Sequence, residues 1–178
     1  MNPIHYSALA NFVIENWDAL RKAATKSLIS LTSPQVGAEG RALGRKLPFR
    51  ALAERRAELR SHGRFLVRAD ISRFYQSIYT HSVPWALHGK AFAKRYRRAR
   101  NIGNQLDQLL RCCQDDQTNG IPMGPDSSLL VAEIILSAID ERLKRHAGRA
   151  IRYMDDYELV AETEGDALHL LAELQHDS

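Results

Sequence analysis

At 178 residues the chain has the length of one domain with a core of its own, and its apolar (44%) and charged (26%) fractions exclude fibrous, collagenous and disordered classes. No apolar run reaches the length of a membrane span, and the N-terminus "MNPIHYSALANF" lacks the basic, apolar and small-residue order of a signal peptide, so a cytoplasmic protein with no membrane partner is expected. The net charge of +4 is unevenly spread: residues 41–100 hold sixteen Lys or Arg against three acids, and the rest holds nine against eighteen.

In chain order, residues 4–29 are predicted to be a helix, with Leu9, Val13, Trp17, Leu20 and Ala24 at helical spacing and Trp17 in the core rather than stacked on a base. "SLTSPQVGAEGRALGRKLPF" reads as an exposed loop. "FRALAERRAELRSHG" is a second helix stopped by Gly63, and "RFLVRADIS" a strand ending at Asp70. From Val83 to Gln114 the pattern is helical with a break near Gly103, and Cys112 and Cys113 are expected to be buried and reduced. His81 and His88 have no partner spacing and are expected to be structural. After the loop "TNGIPMGPDSS" comes a helix with an apolar stripe (Leu130, Ile134, Ile135, Ala138, Ile139, Leu143), capped by Asp126 or Ser127 and ended by Gly148. Ile151–Met154 and Tyr157–Ala161 form a hairpin, and a last helix begins in "EGDALHLLAELQ". The fold class is α+β, a small antiparallel sheet backed by helices.

Asp155 and Asp156 can be read in two ways. Aspartate is a turn residue, so the pair could simply be the two-residue hairpin loop. Alternatively, carboxylates at a hairpin tip and one at a strand end, Asp70, could converge on divalent ions about 3.5–4 Å apart. Magnesium suits such a site because it takes hard oxygen ligands and keeps waters and substrate phosphates. Two ions are expected, with manganese as the alternative metal. Asp70, Asp155 and Asp156 are the candidate ligands, joined by the backbone carbonyl of Ile71. The dense run "KAFAKRYRRAR" (Lys90, Lys94, Arg95, Arg97, Arg98, Arg100) is the candidate nucleic-acid surface, since Phe92 and Tyr96 interleave with the bases.

Three stretches in order carry a resemblance. "RADISRFYQSI", "GIPMGPDSS" and "YMDD" resemble the A, B and C motifs of the reverse transcriptase palm: Asp70 with Tyr75 in A, Pro122-x-Gly124 followed by Ser128 in B, and Tyr153-Met154-Asp155-Asp156 in C. The longer text, "ISRFYQSIYTHSVPWALHGK", "DDQTNGIPMGPDSSLLVAEIILSAIDERL" and "NPIHY…ENWDALRK", is similar to bacterial reverse transcriptases of the abortive-infection and defence-associated groups. Met123 and Leu129 depart from the P-Q-G and Ser-Pro of the intron enzymes.

The resemblance implies an RNA-directed DNA polymerase, with residues 1–64 as partial fingers and connecting helices and 65–178 as palm, ending before the motif D lysine, the primer grip and the thumb. It implies an RNA template, a DNA or RNA primer and deoxynucleotides as partners, catalysis by Asp70, Asp155 and Asp156, and a role in antiviral defence, with any associated RNA or protein unspecified. Tyr75 would be the gate against a 2′-hydroxyl, with Phe74 as its competitor, since adjacent residues on a strand point opposite ways. Pro122, Gly124, Ser128, Tyr153 and Met154 would line the substrate site. A palm polymerase that makes RNA or needs no template, and a non-catalytic nucleic-acid-binding remnant, are the alternatives.

Overall fold

The computed structural model describes residues 2–37 and 42–175. In chain order the elements are α1 (Pro3–Glu15), α2 (Trp17–Ala24), β1 (Pro34–Val36), β2 (Leu43–Arg45), α3 (Leu52–Arg60), β3 (Phe65–Asp70), α4 (Phe74–Ser77), α5 (Ser82–His88), α6 (Lys90–Arg95), α7 (Ile102–Cys112), α8 (Asp126–Asp140), β4 (Ala150–Tyr153), β5 (Asp156–Ala161) and α9 (Glu164–Gln175), with 3₁₀ turns at Phe49–Ala51 and Glu141–His146. The α+β class is as expected. Two compact units are present, each drawn from two chain segments: Met1–Lys26 with Arg73–Ala138, and Ser27–Ser72 with Ile139–Ser178.

The first unit is helical. Its predicted N-terminal helix is split at Asn16, whose side-chain amide donates to the Phe12 carbonyl at 2.9 Å and so diverts the chain between α1 and α2. Leu9, Val13, Leu20 and Ala24 are buried as the spacing required, and Trp17 is half-buried. The expected break near Gly103 lies at residues 96–101, just before it, and a second break falls at Gly89, at φ 84°. Gly103 sits inside α7, where a Cβ would come within 2.8 Å of the Pro84 backbone and 2.9 Å of the His88 ring, so its bare Cα lets α5 and α7 approach. Helix α8 is buried all round at Leu130, Val131, Ala132, Ile134, Leu136 and Ser137, a central helix rather than one with a stripe. Asp126 and Ser127 are its first two residues rather than its cap. Cys113 is buried and Cys112 half-buried; both are free.

The second unit is built on an antiparallel sheet of order β3-β5-β4. Strand alternation gives it two faces. On one, Val67, Tyr157, Leu159, Ala161 and Ala150 form a core with Ile29, Leu143 and Leu170 of α9. On the other, Ile151 and Val160 pack on Leu59 of α3, and Glu158 is 2% exposed. Arg56 reaches that carboxylate at 2.6 Å, Arg60 at 3.3 Å and Arg68 at 3.5 Å. The edge of β4 is covered by residues 29–31, through Arg152 N to the Ile29 carbonyl and Leu31 N to the Arg152 carbonyl, both 2.8 Å. Part of the expected exposed loop is instead the β1–β2 hairpin, with Thr32, Ser33 and Leu43 buried; Ala38–Arg41 lie outside the described residues. Gly63 follows the end of α3 and permits a close pass, since a Cβ there would lie 2.8 Å from the Ala161 carbonyl oxygen.

Candidate active site at the β4–β5 turn

The register of β3 against β5 sets Asp70 directly opposite Asp156, and that of β4 against β5 sets Tyr153 opposite Asp156. Residues paired across a ladder share a face, so Asp70, Asp156 and Tyr153 stand together at the end of the face that carries Glu158. The loop of the hairpin is Met154–Asp155, one residue earlier than the Asp-Asp loop expected, because Asp156 is the first residue of β5. Met154 has φ 59° while Asp155 does not have a positive φ, the pattern of a type II′ turn that normally takes glycine first. A long side chain held in that region is backbone strain, which persists only where the surroundings over-determine it.

Those surroundings are buried polar groups that sequence reasoning missed. The Arg152 guanidinium, 0% exposed, meets both oxygens of Asp140 from Nε at 3.1 and 2.9 Å and donates through a terminal nitrogen to the Met154 carbonyl at 2.8 Å. The Tyr157 hydroxyl donates to the same Asp140 at 2.9 Å. The Met154 amide donates to the Thr32 hydroxyl at 3.1 Å. Both backbone polar groups of the strained residue are thereby held, one by an ion pair with no access to water. The only signal in sequence was an arginine inside a four-residue strand, a charge that must be paired if buried.

Asp70 is exposed, and Asp155 and Asp156 are half-buried. Among the described residues none of the three has a Lys or Arg ion-pair partner. The Asp155 carboxyl is held above the ordinary carboxylate range chiefly by burial, reinforced by the carboxylates of Asp70 and Asp156 and opposed by a hydrogen bond from its own backbone and by Arg152. The Ile71 amide lies 3.4 Å from the Asp155 carbonyl, which brings the backbone after Asp70 against the turn. Among the described residues no group of three or more His, Cys, Asp or Glu side chains is arranged to hold a metal ion. One or two of these carboxylates would suit magnesium, which completes its shell with water and phosphate oxygens; the observation a cation would answer is carboxylates with no Lys or Arg ion pair among the described residues.

The other expected site residues are distributed as follows. Tyr153 is buried, with its ring edge-on to Phe49 at 6.0 Å and Arg45 above it at 5.9 Å, so it anchors the hairpin rather than lining an open pocket. Phe74 and Tyr75 lie on a helix, α4, not on a strand; Phe74 is buried and Tyr75 half-buried. The helical turn follows Arg73, which adopts φ 53° and ends the extended run despite the β-leaning aromatics. Within the first unit the motif B loop joins the Tyr75 segment: Ile121 N donates to the Tyr75 carbonyl at 2.8 Å and Gly120 N to the Ile78 carbonyl at 2.7 Å. Pro122 is half-buried, Gly124 takes φ 111°, and Ser128 is buried.

The basic block divides between the two units. Arg56, Arg60 and Arg68 are engaged by Glu158 in the second unit, whereas Lys90, Lys94, Arg95, Arg97, Arg98 and Arg100 are exposed on the first. Arg41 lies outside the described residues. His81 does have a partner, Asp107, at 2.5 Å, and His88 accepts from the Gly103 amide at 3.1 Å. No helix among the described residues is long and apolar enough to cross a membrane. Neither a protein-family model nor a curated protein matches the chain.

Proposed function

We propose that the chain carries the palm of an RNA-directed DNA polymerase of the reverse transcriptase kind, acting by magnesium-dependent nucleotidyl transfer from deoxynucleoside triphosphates to a primer 3′-hydroxyl. The observation that carries this reading is the antiparallel register that sets Asp70 opposite Asp156, next to a strained turn bearing Asp155. Strands far apart in sequence meet at carboxylates whose mutual repulsion the fold does not relieve.

Asp70 and Asp155 would hold the magnesium ions, with Asp156 adding negative charge and the Ile71 carbonyl a further oxygen. Bound magnesium supplies a lowered pKa for the attacking hydroxyl and neutralises charge on the leaving phosphates. The protein's own contribution is position. Arg152, Asp140, Tyr157 and Thr32 fix the turn through both backbone groups of Met154. A displacement of about 1 Å in such a reaction can cost on the order of a hundredfold.

The test measures two things on the wild type, Asp70→Asn and Asp155→Asn: manganese binding by electron paramagnetic resonance, and incorporation of deoxynucleotides on a primed RNA template. Manganese should bind the wild type, weaken in both variants, and incorporation should fall below detection in each. Incorporation by Asp155→Asn at the wild-type rate would overturn the assignment, and so would manganese binding indifferent to both substitutions.

A further inference from the structure

Away from the β4–β5 turn, the first unit contains a cleft of about 810 Å³ whose lining includes Lys94, Arg97, Arg98, Arg100 and Arg111. Its one acid, Asp107, is 5% exposed and is held by the His81 ring at 2.5 Å and faced by Arg111 at 3.6 Å. That leaves Lys94, Arg97, Arg98 and Arg100 exposed, with no ion-pair partner among the described residues. Like charges crowded on one short segment repel, and the segment is nonetheless tied down. The Asn104 side-chain amide donates to the carbonyls of Tyr96, Arg97 and Ala99 at 3.0, 3.4 and 2.8 Å, and the Asn104 backbone amide is capped by Asn101 at 2.9 Å. With two N–H groups facing three carbonyls, one of them shared, Asn104 braces the backbone that carries the arginine triplet.

The cleft also has an aromatic wall. Tyr79, 40% exposed, stands edge-on to His81 with centroids 4.9 Å apart and tilted against Trp85 at 5.8 Å. The Lys90 ammonium lies 5.0 Å from the Trp85 ring centroid. Of these rings Tyr79 has the surface to receive a planar ligand, and Trp85 beside it would sense one. Cations on a braced backbone beside a stacking ring match a ligand that carries both a phosphate chain and accessible π-faces. A duplex hides its bases inside the stack, and an acidic protein surface has no base to place on Tyr79.

We infer that this cleft is a binding site for single-stranded nucleic acid, with phosphates on Arg97, Arg98 and Arg100 and a base on Tyr79. It goes beyond the polymerase reading and does not depend on it, since no residue of the carboxylate site takes part. The experiment is fluorescence anisotropy of the full chain with a labelled twelve-nucleotide oligothymidine, in chelator and without triphosphates, so that nucleotidyl transfer plays no role. The single strand should bind more tightly than a duplex of equal length. Replacing Arg97, Arg98 and Arg100 together by Gln should flatten the slope of log affinity against log salt by about two, given roughly 0.7 per phosphate on a single strand. Tyr79→Leu should weaken binding about fivefold or more while leaving that slope unchanged. In a Trp17→Phe background Trp85 is the chain's one tryptophan, and its emission should change on binding. Wild-type affinity in the triple variant would overturn the proposal. Equal binding of duplex with no Tyr79 effect would reduce the cleft to a charged surface and also overturn it, and tighter binding of a phosphorylated peptide would assign it to a protein partner instead.

Discussion

The β4–β5 turn and the arginine-lined cleft both concentrate like charge, but they do so by opposite means. At the turn, three carboxylates come from two places far apart in the chain and meet only because β3 pairs with β5 in one register. In the cleft, the cations are neighbours in sequence, and folding has only to fix the segment that carries them, through Asn104. The turn therefore depends on buried tertiary contacts, whereas the cleft depends on surface ones. Damage to the first should propagate into stability, and damage to the second into binding alone.

The largest effect that would break this contrast is expected at Arg152. Arg152→Ala leaves Asp140 buried and unpaired and releases the Met154 carbonyl, so unfolding in denaturant should show a loss of about 3–5 kcal/mol. A loss below about 1 kcal/mol would mean that the turn is not held as described. Asn104→Ala should be milder: about 1 kcal/mol or less from exposed hydrogen bonds, with a clear fall in oligonucleotide affinity and no change in manganese binding. A loss of manganese binding in that variant would show the two regions to be coupled.

The smallest effect concerns pH. Because the folded Asp155 carboxyl has its pKa raised from the ordinary 3.8, its ionisation weighs against the fold. Stability from this group is fully present below the unfolded pKa and is lost as pH rises through the folded one. At neutral pH Asp155→Asn should therefore melt slightly higher than wild type, and the difference should vanish in acid. Magnesium should raise the wild-type melting temperature and close the gap. A variant that melts lower at neutral pH would show that the carboxylate is paired rather than repelled.

How much of this was legible follows from which interactions are local. Turn chemistry and strand alternation placed the hairpin and β3, and with them Asp70, Asp155 and Asp156, although the loop came one residue early because Asp156 pairs with both Asp70 and Tyr153. The brace behind the turn was not legible, since Asp140 sits at the end of a helix and Thr32 in a stretch whose Gly, Pro and Ser read as loop. Phe74 and Tyr75 favour strands by propensity, yet the left-handed Arg73 turns the chain into α4. Glu158 and its three arginines were visible as charges but not as a cluster, because the packing of α3 over β5 brings in Arg56 and Arg60 and the β3–β5 register sets Arg68 opposite Glu158.

The pairing of Phe65–Asp70 with Asp156–Ala161 also bears on the order of assembly. Closing a long loop costs more chain entropy than closing a short one, so contacts among neighbours form first. The segments that build the cleft, residues 79–111, are adjacent in the chain and can settle while it is still being synthesised. Strand β3 emerges early but has no partner until β5 follows it. Until then both its edges are open, and one stays unpaired in the finished sheet; Asp70 and the exposed Arg68 are charges of the kind that discourage such an edge from pairing with another chain.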